Sequence, residues 1–189
     1  NVFLYSGMAA IVAIYLWTMF ERRMNRFSRP AGIAALVWRF ALTTGTGSIF
    51  GFLVARQAYQ SAVLAPLFIV LSFAWGLAVF LLVQSVMYAW NGQTLPEPVR
   101  ARMARLLGVF VAASLYLVAV YHLTNLYFAR QSAFEAFVLL GQGDESGVFP
   151  ALFWGGYVVV GAVLPMILLF LPRGAGSNSM LAASGLVVA

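Results

Sequence analysis

Six apolar stretches separated by short polar ones account for almost the whole chain. The longest, Ala62 to Trp90, runs 29 residues without a charge and follows a polar cluster of Arg56, Gln57, Tyr59, Gln60 and Ser61. At ~1.5 Å per residue a helix of that length is about 43 Å long, against the ~30 Å hydrocarbon core of a bilayer. It is therefore read as a tilted membrane span. Four other full spans are expected over 2–20, 31–55, 103–128 and 150–171, with a partial sixth over 179–189.

The connections differ in character. Residues 21–30 hold four arginines and one glutamate. Residues 91–102 are rich in turn formers, and their two prolines are expected to stop the preceding helix. In the connection 129–149, the part 131–140 is expected to form an amphipathic interfacial helix. The pattern predicts an all-α transmembrane bundle, a single domain over 1–189.

Charge orients this bundle. Net loop charge is +3 in the first connection and +2 in the third with Arg105 counted, but −2 in the fourth, where Arg130 faces Glu135, Asp144 and Glu145. The positive-inside rule then makes loops one, three and five cytoplasmic and puts Asn1 outside. The chain begins at Asn1 on the edge of an apolar segment and ends at Ala189 inside another, so a partial chain is expected.

Composition narrows the chemistry. The 189 residues are 63% hydrophobic and 8% charged, with mean hydropathy +0.93; soluble domains carry about 25% charged residues. All eleven basic residues are arginine, placed mainly at span ends. The net charge of +6 thus reads as orientation and lipid contact, not as nucleic-acid binding. Without cysteine the chain holds no iron–sulfur cluster or thiolate metal site of its own, and its single histidine excludes bis-histidine haem.

Candidate residues gather at one membrane face. Arg56, Tyr59, Gln60, His122, Asn125, Arg130 and Glu135 all fall near the outer ends of spans, and His122 and Asn125, three apart, share a helix face. Such a cluster suits a polar headgroup whose tail lies in lipid, and equally suits interfacial residues that merely meet water. His122 fits proton handling or a hydrogen bond to a quinone, as well as a structural bond at a helix end. Glu135, Asp144 and Glu145 could pass protons, but as exposed loop acids they are read as more ordinarily having no catalytic role. Arg39, nine residues into the second span, is read as snorkelling or paired between helices. The run Thr43–Gly51 contains Gly47-x-x-x-Gly51, which suits close helix packing, or a broken helix that coordinates an ion or substrate.

Two stretches carry a resemblance. S-A-V-L-A-P-L-F-I-V-L-S-F-A-W-G-L-A (Ser61–Ala78) and F-P-A-L-F-W-G-G-Y-V-V-V-G-A-V-L-P-M-I-L-L-F (Phe149–Phe170) resemble successive helices of the polysulfide reductase membrane-subunit (NrfD/PsrC-like) family. Y-H-L-T-N-L-Y-F-A-R (Tyr121–Arg130) is similar to the end of the helix between them.

The resemblance implies an eight-helix subunit of a bacterial or archaeal cytoplasmic membrane, of which this chain would be the third to eighth helices. It implies no redox cofactor held by the chain and no catalytic centre of its own. Such a subunit binds an exchangeable quinone or quinol beside an iron–sulfur partner, which serves a catalytic subunit, often molybdopterin-dependent. Arg130 then matches an arginine closing the quinone site, with Arg56, Tyr59, Gln60 and His122 as further contacts. Gly45–Ser48 depart from the family pattern, standing where a tyrosine can occur. Two other readings of the sequence stay open: a secondary transporter or proton-conducting subunit, and a purely structural membrane anchor.

Overall fold

The computed structural model describes residues 2–53, 61–128, 131–143, 146–170 and 187–188. Most of these residues are helical, with no strand among them. Among the described residues five helices are long and apolar enough to cross a membrane. In chain order these are α1 (Val2–Phe20), α2 (Ser28–Gly51), α3 (Leu64–Trp90), α4 (Glu97–Tyr127) and, after the short α5 (Ser132–Leu140), α6 (Val148–Phe170). The expected partial sixth span lies almost wholly outside the described residues. Many large apolar side chains stay exposed along α1 to α6, as expected of helices whose outer surfaces meet lipid.

The helix ends have local causes. α3 stops because Gly92 takes a left-handed conformation (φ 64°), letting the Gln93 N–H reach back to the Tyr88 carbonyl at 2.9 Å. The two following prolines, expected to stop that helix, instead start the next: Pro96 caps α4 and Pro98 sits in its first turn. There a missing N–H goes unneeded and the fixed φ already matches a helix. α4 consequently begins six residues before the apolar run, with Glu97 in its first turn, where a negative charge complements the helix dipole.

Contacts divide the chain into two compact units. In the first, α1 and α2 pack as a hairpin: the Trp38 indole donates to the Leu4 carbonyl at 2.9 Å and fills the space a side chain at Gly7 would need. α2 runs unbroken through Thr43–Gly51. A Cβ on Gly47 would stand 2.7 Å from the Ala65 Cα, and one on Gly51 would stand 2.8 Å from the Ser61 carbonyl oxygen. The Gly-x-x-x-Gly pair is thus a packing notch that lets α2 approach the start of α3 backbone to backbone. The alternative broken helix is absent from it. Arg39 lies on the exposed surface of α2.

The second unit holds the buried core. Ala74, Ala78 and Leu81 on α3 and Ala104, Leu107 and Val111 on α4 repeat at spacings of three and four, and Leu95, Val188 and, from α6, Ala162 and Leu169 join them. Small residues bring the helices close; Gly108 lies under the Phe170 ring, where a Cβ would be 2.8 Å from the ring edge. Between Ala151 and Val163 α6 has π-helical hydrogen bonding. Most π segments are single turns, and they concentrate at functional sites.

Candidate functional site

The C-terminal end of α4 carries Tyr121, His122 and Asn125 toward α5 and the start of α6. α4 leaves its helical path at Phe128, whose backbone is extended. Gln131 is the N-cap of α5. Along α5, Glu135 is one full turn past Gln131, to whose carbonyl its N–H donates at 3.1 Å. α5 ends where Gly141 adopts φ 71°, a left-handed conformation that needs glycine.

Glu135 is wholly buried, with no exposed surface. Both its oxygens are engaged: Asn125 Nδ2 donates to Oε1 at 2.7 Å, and His122 Nδ1 lies 2.6 Å from Oε2. Asn125 is 1% exposed, whereas the His122 side chain is 15% exposed. Among the described residues no buried side-chain nitrogen or oxygen lacks a hydrogen-bond partner. A buried carboxylate in apolar surroundings is otherwise costly, so this complete pairing is what allows it to sit there.

Glu135 therefore corrects its reading as an exposed loop acid. The sequence of the fourth connection carries an acidic net charge and turn formers, which suggested solvent. The carboxylate is instead folded inward because α4 offers two polar groups on one face, three residues apart. The same three-residue spacing had singled out His122 and Asn125 as neighbours. What the sequence concealed was the partner, ten and thirteen residues further along the chain, across a turn.

Aromatic rings fix the other side of His122. The Phe153 ring stands edge-on to the imidazole with centroids 4.8 Å apart, and Tyr121 does the same at 5.2 Å. Phe153 also stacks on Tyr157 at 6.2 Å, one turn along the widened part of α6. Trp154 ties α6 to α5 by donating its indole N–H to the Leu139 carbonyl at 3.1 Å. Against this framework opens a cleft of about 290 Å³, lined by Leu115, Val118, His122, Leu126, Phe153 and Trp154 among others. Its walls are almost entirely apolar, and His122 is the titratable group on them.

Of the expected outer-face cluster, His122, Asn125 and Glu135 fall among the described residues, and His122 is the one of these that was expected to contact a quinone. Arg56, Tyr59, Gln60 and Arg130 lie outside the described residues. Asn125 and Glu135 join His122, and Phe153 and Trp154 join from the Phe-Trp pair of α6. The signal for that pair was its place near the start of the last full span.

Comparison with known proteins agrees with this architecture. The chain is 30% identical over 174 residues to the Hdr-like menaquinol oxidoreductase integral membrane subunit of Archaeoglobus fulgidus. The match covers 92% of this chain and 42% of that relative, so the chain spans less than half of the relative's length. No solved structure matches. The model of the polysulphide reductase NrfD family matches residues 1–189, and a match along the whole chain establishes that the protein belongs to that family.

Proposed function

We propose that the chain is an integral-membrane, quinone- or quinol-interacting subunit of a multi-subunit oxidoreductase. In this reading it passes electrons between the quinone pool and an iron–sulfur partner subunit, which in turn serves a catalytic subunit. The assembly sits in a bacterial or archaeal cytoplasmic membrane. The supporting observation is the cleft itself: apolar walls, aromatic rings and one histidine whose far side is held by a buried carboxylate.

That combination fits a quinone better than a hydrophilic solute. Small-molecule clefts are mostly apolar, with a few convergent polar groups that fix orientation. A volume of about 290 Å³ lies at the lower edge of the usual ~300–1,000 Å³. It holds a ring and leaves an isoprenoid tail to run along the apolar helix surface. A quinone takes up one proton with each electron, and its reduced form releases them. His122 is suited to supply or accept that proton, being the residue type that changes charge near neutral pH. Arg130, Arg56, Tyr59 and Gln60 are proposed as further contacts at the same membrane face. The relative named a menaquinol oxidoreductase subunit supports the same reading.

The test is His122→Phe in the full-length protein within its native complex. We expect quinol-coupled turnover to fall by about 10²-fold or more, the range for removing an acid–base group. Electron transfer from an artificial dye to the catalytic subunit should persist. Unchanged quinol turnover removes His122 from the site. Absence of any quinone-analogue binding to the wild-type complex leaves the structural-anchor reading in its place.

A further inference from the structure

We infer that Glu135 and His122 form a proton-accepting dyad, in which the buried carboxylate fixes the imidazole so that Nε2 is the accepting atom. The inference rests on the quinone reading above and assigns a role within it to a residue which that reading does not use.

An ionised carboxylate is an acceptor only, and Glu135 has one nitrogen at each oxygen: Asn125 Nδ2 donates to Oε1, and His122 Nδ1 lies 2.6 Å from Oε2. Asn125 has a fixed partner, so the remaining bond is satisfied when Nδ1 carries the imidazole proton. In the neutral ring that leaves Nε2 unprotonated and able to accept. His122 lines the cleft, while Glu135 and Asn125 stand behind it. A carboxylate, an imidazole and an open substrate position in that order form the arrangement by which a buried acid holds a general base in one tautomer and stabilises its charged form.

His122 Nε2 takes the proton from a hydroxyl of a bound hydroquinone: one O–H bond breaks and one N–H bond forms. The accompanying electron leaves to the iron–sulfur cluster of the partner subunit. The resulting imidazolium is paired with the Glu135 carboxylate at 2.6 Å, so no net charge is added to an uncompensated site. His122, the partly exposed member of the pair, then releases the proton to water. In the reducing direction each transfer reverses. Asn125 is a positioning residue: it holds Oε1 and so stops the carboxylate from rotating away from the ring.

Glu135→Gln in the full-length protein within its native complex separates this role from a packing role. The amide keeps the volume but lacks the charge that supports the imidazolium, and with its one acceptor oxygen facing Asn125 its NH2 donates to Nδ1 and reverses the tautomer. We expect quinol-coupled turnover to drop by roughly 10²-fold or more, with a larger solvent deuterium isotope effect because proton transfer becomes the slow step. Binding of a quinone analogue should change less than about threefold. Glu135→Asp should recover part of the lost turnover. Infrared difference spectra recorded on quinone reduction should show in wild type, and lose in Glu135→Gln, a carboxylate stretching band that shifts as the neighbouring imidazole changes charge. Unchanged turnover and spectra in Glu135→Gln, with analogue binding intact in both proteins, overturn the dyad and leave the quinone reading standing. No analogue binding in the wild type overturns the reading on which the dyad rests.

Discussion

Replacing Asn125 by alanine tests whether the buried triad is held together as the geometry requires. Asn125 Nδ2 donates to Glu135 Oε1 at 2.7 Å, and both groups are essentially inaccessible to water. Removing the donor leaves a carboxylate oxygen without a partner where no solvent can replace it. Hydrogen bonds to charged groups contribute about 1.5–3 kcal/mol, so the expected loss of stability is about 2 kcal/mol. That is roughly a 30-fold change in the folded-to-unfolded ratio. A simple loss of packing would give a similar single-mutant value, and a cycle with Glu135→Leu separates the two. With the carboxylate gone, Asn125→Ala should cost little, because no buried charge remains for it to satisfy. Equilibrium unfolding of the purified full-length protein in mixed micelles should therefore return a coupling energy of about 2 kcal/mol, within the ~0.5–3 kcal/mol found for residues in contact. Additivity within about 0.5 kcal/mol would refute the reasoning, since it would mean that the two side chains do not depend on one another.

Other consequences follow from the packing and from the site. Gly47→Val should destabilise the α1–α2 unit by about 1–3 kcal/mol, because its Cβ would press on the Ala65 Cα and the Leu64 carbonyl, both backbone atoms that cannot swing aside. Gly155→Ala, whose Cβ meets nothing within 4 Å, serves as the near-neutral control in the same thermal-unfolding assay. Arg130→Ala should lower quinol-coupled turnover while dye-linked electron transfer to the catalytic subunit continues. Unaltered quinol turnover would take Arg130 out of the site.

The membrane architecture was legible because its cause is local: uncharged runs of bilayer length declare themselves residue by residue. α1 and α3 match the apolar runs closely, and α2 and α6 do so within a few residues. α4 was read short at its N-terminus because a polar first turn looks like loop when hydropathy is the guide, although Pro96, Glu97 and Pro98 are themselves starting signals. The role of Gly47 was legible as well, since a small residue every fourth position has a steric meaning independent of context.

The site was legible only in part. His122 and Asn125 could be paired from their spacing along one helix, a relation fixed by helical geometry. Glu135 was grouped with them at one membrane face, but its burial was not legible, because it depends on two groups from another helix meeting it after a turn, and nothing within 132–140 encodes that meeting. Its charge taken alone argues for solvent, and only the partners reverse the sign of the argument. The π-helical hydrogen bonding of α6, which sets Phe153 and Tyr157 in one stack beside the imidazole, likewise has no signature in the apolar run that contains it.

The central claim is that an apolar cleft beside His122 receives the quinone ring. The most direct measurement is photo-crosslinking of an azido-quinone to the intact complex, followed by peptide mapping. The account predicts label on the α4 segment around Leu115 to Leu126 and on Phe153 or Trp154 of α6, displaced by excess unlabelled quinone. Label confined to other subunits, or to lipid-facing positions without competition, would contradict it.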